Sequence, residues 1–200
     1  MSLPIVLGAR AEAACRLLNQ TLGLHRTQTI DTQRAKPLAR LATPTFDGVQ
    51  VQRQATFLRM ISITEAFCVD RLLDLAETEF SPTGNNIRTL VWDKASTSAV
   101  STWSGTQDAY KSWYDIRPSW TQINQLIEVR NAIAHGLGKL TRIQRAKRAS
   151  ISNKITTAKI RLSGDYIVLE EANLQSVRDV CVDLISEIDG LVQGKTGDVN

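Results

Sequence analysis

The sequence predicts a mainly α-helical protein with one small β-hairpin just before its last helix. Three observations carry that prediction. Residues 49–80 repeat a mainly apolar set every three or four positions (Phe57, Ile61, Thr64, Cys68, Arg71/Leu72, Leu75) with no Gly or Pro to interrupt it. Residues 171–192 do the same through Leu174, Val177, Val180/Cys181, Leu184/Ile185 and Ile188. Between 158 and 169 the pattern changes to alternation, with Ala158, Ile160 and Leu162 on one side of Ser163-Gly164-Asp165 and the run 166–169 on the other, which is a hairpin signal.

The remaining elements come in chain order. Residues 3–24 hold good helix formers and predict an N-terminal helix. Residues 27–48, with Pro37, Pro44 and Gly48 among scattered threonines, predict a loop or arm, so 1–48 reads as helix plus arm. The long helix over 49–80 is stopped by Ser81-Pro82-Thr83-Gly84-Asn85-Asn86. Residues 96–114 read as a weaker helix broken in character at Gly105, in the segment that holds all four tryptophans. Trp103, Tyr110 and Trp113 would share one face of it. Such a stripe stacks on bases when exposed, but at helical spacing it is better read as core or subunit interface. Ser119 and Gln122 have capping-box spacing with Pro118 just outside, which predicts a helix over 120–135 that Gly136 and Gly138 stop. The main helical domain is thus 49–192, with its hairpin at about 155–170, and 193–200 is a tail.

Composition excludes several classes. A chain of 200 residues buries roughly 70% of its unfolded surface around a single core, so it needs no staple. With 42% hydrophobic and 22% charged residues it is neither disordered nor fibrous. No window approaches the roughly 20 uncharged apolar residues of a membrane span. The opening apolar run has no basic residue before it and ends at Arg10, unlike a secretory signal. Cys15, Cys68 and Cys181 are odd in number, far apart and without a second ligand at metal spacing, so they read as reduced thiols of a cytoplasmic protein. No metal and no cofactor is expected.

Charge is unevenly spread. From Gly136 to Arg161 there are eight basic residues and no acid; from Leu162 onward there are two basic and eight acidic. A third of the positive charge therefore lies in 26 residues. Such a patch attracts polyanions, because each cation meeting a phosphate releases condensed counterions. The plain alternative is a solvated face.

The helix over 120–135 precedes that patch and carries the chemistry. With Arg130 at 0° and about 100° per residue, Ile123, Leu126, Ile127, Ile133, Ala134 and Leu137 fall within about 60° of it. Arg130 is thus expected amid an apolar face, where a guanidinium requires a partner or a phosphate. Asn124, Glu128, Asn131 and His135 form a separate polar stripe. Taken singly, His135 could cap the helix dipole and Arg130 could pair internally with Glu65. On an ideal helix Arg130 and His135 point about 140° apart. They converge only if the helix loosens near Gly136 or a partner subunit supplies the other half.

The run Glu128-Val129-Arg130-Asn131-Ala132-Ile133-Ala134-His135-Gly136 resembles the signature of the HEPN superfamily, Arg followed after four to six residues by His, commonly with Asn directly after the Arg. The resemblance covers roughly 49–192 and implies a HEPN-like helical bundle. It also implies an endoribonuclease that needs no metal and works as a homodimer, with two motif helices forming one composite cleft. By that resemblance His135 is the general acid/base for attack of a ribose 2′-hydroxyl on the adjacent phosphate, Arg130 holds that phosphate, and Asn131 orients the histidine or bonds the phosphate. The products would be a 2′,3′-cyclic phosphate and a 5′-hydroxyl. Glu128 stays outside the catalytic set. Lys139, Arg142, Arg145, Lys147 and Arg148 come directly after the motif and are expected to track the RNA backbone as charge contacts. The implied role is a toxin or anti-phage abortive-infection effector, restrained by an antitoxin or other regulatory protein. Two other readings remain: a non-catalytic HEPN module for dimerisation or nucleotide binding in a larger complex, and a helical nucleic-acid-binding protein that uses the 139–161 patch alone.

Overall fold

Helical periodicity dominates the computed structural model, which describes residues 6–34, 47–79 and 86–197. Among them, eight helices and one hairpin succeed one another: α1 (Ala9–Arg34), α2 (Gly48–Glu79), α3 (Asn86–Val100), α4 (Trp103–Tyr114), α5 (Thr121–Gly136), α6 (Arg142–Ala146), α7 (Arg148–Thr157), β1 (Arg161–Ser163), β2 (Tyr166–Val168) and α8 (Glu171–Gly197). The mainly helical class and the antiparallel hairpin ahead of the last helix are as expected. No helix among the described residues is long and apolar enough to cross a membrane.

The differences lie in the polar segments. α1 continues ten residues beyond the expected end at Leu24, so the first part of the expected arm is helical; 35–46 lie outside the described residues. Threonines are poor helix formers, but here Thr27 and Thr29 return their hydroxyls to the carbonyls of Gly23 and His25, four residues back. The weak helix expected over 96–114 is two helices, broken at Ser101-Thr102 and not at Gly105. Thr102 caps α4 by accepting from the Gly105 N–H. Gly105 permits close approach instead, since a Cβ there would stand 2.8 Å from the Ala99 carbonyl oxygen. α8 runs through Gly197, past the expected end at Val192.

The chain forms two compact units. The first holds the described residues of Met1–Ala14, Ile63–Trp120 and Asp183–Asn200. Its core includes Phe67, Leu72, Tyr110, Ile116, Leu184 and Ile188. Of the aromatic stripe, Trp103 and Tyr110 are buried and Trp113 is exposed. Burial pushes the Tyr110 phenol well above its ordinary pKa, with the Cys68 thiol adding to the shift; the hydroxyl donates to the Cys68 carbonyl at 2.8 Å. A buried carboxylate, Asp189, is satisfied by the Gly8 N–H and the Gln193 amide, each at 2.7 Å, and by Arg71 at 3.3 Å.

The second unit, Cys15–Ser62 and Thr121–Val182 in its described residues, carries the motif helix, the basic segment and the hairpin. Leu18, Phe57, Met60, Leu126, Val129, Ile155, Leu169 and Leu174 fill its core. β1 and β2 pair with Ser163 opposite Tyr166, which leaves Gly164-Asp165 as a two-residue turn. Gly164 at its first position has φ 63°, the sign a II′-type turn places there. α7 buries only Ile151 and Ile155, one turn apart. It ends in a Schellman motif in which the Ile160 N–H reaches the Ile155 carbonyl and the Lys159 N–H reaches the Thr156 carbonyl. Lys159 therefore takes the left-handed position (φ 59°) that glycine favours, at a cost of about 1–2 kcal/mol.

Candidate functional site

α5 packs Ile123, Leu126, Val129, Ala132 and Ile133 inward. The centre of that buried face lies about 70° from Arg130. Arg130 is half-buried at its edge, Ala134 and Leu137 are exposed and Ile127 is half-buried. This corrects the expectation of an arginine amid the apolar face. Apolar side chains ring most of α5, so the sequence alone leaves open which flank packs.

The helix does not loosen before Gly136, and Arg130 and His135 meet within one chain. Arg130 Nη1 stands 3.0 Å from His135 Nε2 and donates to Asn131 Oδ1 at 3.3 Å. The 140° separation is spanned by the arginine side chain, which reaches along the helix past Asn131 to the exposed ring five residues on. A guanidinium has donors only, so a hydrogen bond across this gap runs from Arg130 to His135 Nε2. The three motif residues thus form one connected set on the surface.

The residues after α5 fix the mouth of the site. Leu137 (φ 53°) and Gly138 (φ 85°) turn the chain, and a Cβ on Gly138 would stand 2.9 Å from the Gln54 side-chain amide. Residues 138–140 then run beside the hairpin: Ile167 N–H donates to the Gly138 carbonyl and Leu140 N–H to the Asp165 carbonyl. The hairpin therefore anchors the exit of the motif helix. Thr141 and Gln144 form a reciprocal capping box that starts α6. The buried Gln144 amide also donates to the Glu128 carbonyl at 2.8 Å and its carboxylate at 3.1 Å, bracing α6 against α5. Thr141-x-x-Gln144 is a capping signature legible in the sequence, and it marks the one buried polar residue of this segment.

These braces leave a cavity of about 730 Å³ beside α5, lined by Asn131, His135, Arg142, Ile143, Lys147 and Lys154 among others. Glu128 is the carboxylate on its wall, and Lys154 Nζ meets it at 2.9 Å while Gln144 holds its other oxygen. Glu128 thus has a structural place in the α5–α7 contact. Arg142 and Lys147 form no ion pair among the described residues, so the cleft retains net positive charge.

The five cations expected to track RNA separate into two pairs and a single residue. Arg142 and Lys147 line the cleft with His135. Arg145 and Arg148 both pair with Asp165 in the hairpin turn, and Arg148 also donates to the Gly164 carbonyl at 2.9 Å. Lys139 sits 4.5 Å from the centre of the Tyr166 ring. Leu137 and Ile143 are the apolar exceptions near the cleft, at 90% and 76% exposure. Among the described residues no three His, Cys, Asp or Glu side chains cluster as metal ligands would.

The chain matches no protein-family model, no curated protein and no solved structure.

Proposed function

We propose that this chain is a HEPN-type endoribonuclease that cuts RNA without a metal, through His135, Arg130 and Asn131. The observation that carries the reading is the 3.0 Å approach of Arg130 Nη1 to His135 Nε2 at the edge of a cationic cleft. An arriving phosphodiester competes for the guanidinium, because a charged, bidentate Arg–phosphate pair is stronger than an Arg–imidazole bond. Arg130 then moves to the phosphate and neutralises charge developing on it. Nε2 is left to accept the proton of the neighbouring ribose 2′-hydroxyl. The 2′-oxygen attacks phosphorus, the bond to the 5′-oxygen breaks, and that oxygen takes a proton from water. A 2′,3′-cyclic phosphate and a 5′-hydroxyl result. Asn131 keeps its amide hydrogens for the phosphate, and Arg142 and Lys147 hold the strand by charge alone.

The homodimer implied by the HEPN resemblance gains support from Leu137 and Ile143, which expose apolar surface beside the cleft where a second copy would cover it. The role of a cytoplasmic toxin or abortive-infection effector, held by an antitoxin or regulator, rests on the resemblance alone.

The test is incubation of bulk tRNA and a structured messenger with purified protein in EDTA, with end-group analysis of the products. Cutting that leaves cyclic phosphates and is lost in His135→Ala and Arg130→Ala is the expected result. Folded dimers that bind RNA but never cut it would leave the non-catalytic HEPN reading in its place.

A further inference from the structure

α7 separates two grooves. Its Lys147 and Lys154 side belongs to the His135 cleft, while Arg148, Ser152 and Thr156, on roughly the opposite side of the helix, line a second depression of about 610 Å³ against β1. Lys159 and Arg161 complete that second wall, and no carboxylate lines it. We infer that the groove between α7 and β1 is a second site for the phosphate backbone of the RNA strand whose scissile phosphate lies in the His135 cleft. The inference rests on the RNA reading of that cleft and extends it.

The chemistry of the groove selects a polyanion. Lys159, Arg161 and two hydroxyls present donors suited to anionic oxygens: among the described residues neither Lys159 nor Arg161 forms an ion pair, whereas Arg148 is held by Asp165 and the Gly164 carbonyl. Lys159 and Arg161 are both exposed. Lys159 occupies the left-handed C′ position of α7, which glycine favours. The Asn173 amide fixes the turn by donating to the Lys159 carbonyl at 2.9 Å. The two grooves are joined by α7 itself, whose ten residues include no acid. A strand leaving the first cleft thus crosses one helix diameter, about 10 Å, before meeting positive charge again.

The test is fluorescence anisotropy with uncleavable 2′-O-methyl oligouridines of two lengths, roughly a 6-mer and a 20-mer, titrated across salt concentrations. Wild type is compared with Lys159→Gly, Arg161→Ala and the double variant. Lys159→Gly should melt no lower than wild type. The double variant should bind the long oligonucleotide about tenfold more weakly at low salt, with a slope of log K on log salt shallower by about 0.7 for each phosphate no longer neutralised. Binding of the short one, which fills only the first cleft, should change by less than about twofold on the same scale. Unchanged affinity and slope for the long oligonucleotide overturn the second site. Equal losses for both lengths overturn it as well, since the cations would then act at the first cleft or as a general field. Wild type that binds neither length sinks the groove and the RNA reading together. Wild type that shows the length-dependent loss but cuts no RNA in EDTA sinks the nuclease reading only.

Discussion

The two histidines of this chain lie in one unit and have opposite surroundings. His25 is 2% exposed and engaged at both ring nitrogens, with Nδ1 at 3.0 Å from Thr56 Oγ1 and Nε2 at 3.1 Å from Glu171 Oε2. Its neighbours are themselves anchored, for Thr56 donates to the Gln52 carbonyl and Arg53 stands 3.9 Å from Glu171. His135 lies on the surface, its partner is a long arginine side chain, and that bond leaves Nε2 as an acceptor. Residue type is therefore a poor guide to role. A histidine whose nitrogens are both held by anchored groups ties α1 to α2 and α8; one held by a displaceable donor in a cationic cleft is the proton acceptor in the chemistry proposed above.

Five substitutions should break or sharpen that contrast. The largest effect belongs to His135→Ala, which should lower RNA cleavage by about 10²–10⁴-fold with a melting temperature close to wild type. Arg130→Ala should cost about 10²–10³-fold in rate, and Arg130→Lys should recover little of it because a point charge does not reproduce the planar fork. His25→Ala should do the reverse: it strands Thr56 and Glu171 and should destabilise folding by about 2–3 kcal/mol in urea titration, while cleavage by the folded fraction holds. Smallest is Gln144→Ala, which removes the capping box and the brace to Glu128. It should cost about 1–2 kcal/mol in stability, and the looser cleft should raise KM more than it lowers kcat. Equal losses of cleavage in the His25 and His135 variants at matched folded fraction would erase the distinction between the two residues.

The long helices were legible because their apolar residues recur on one face. Of the positions expected on the packed faces of α2 and α8, Phe57, Cys68, Leu72, Leu174, Cys181 and Ile188 are buried, while Arg71 and Val180 are half-buried. The hairpin was legible from alternation around Gly164. α6 and α7 were not read as helices, since a basic segment with two inward isoleucines one turn apart gives little periodicity to detect. The extension of α1 was hidden by its threonines, which are helical through hydroxyl bonds to the preceding turn and through cross-helix ties such as Arg26 to Gln175 at 2.7 Å. At the site, the motif residues were named from sequence, but their convergence was not. A projection by helical angle fixes where a Cα–Cβ bond points and says nothing of how far an arginine reaches. The split of the basic run was equally invisible, because Asp165, which engages Arg145 and Arg148, comes to them only through the hairpin.

The most direct test of the proposed chemistry is a single-turnover cleavage assay in EDTA on one RNA and on the same sequence with 2′-deoxyribose throughout, using wild type and His135→Ala. Cutting of the ribose strand alone, by wild type alone, with 2′,3′-cyclic phosphate ends, is the predicted result. Cleavage of the deoxy strand, or His135→Ala that cuts the ribose strand as fast as wild type, would contradict it.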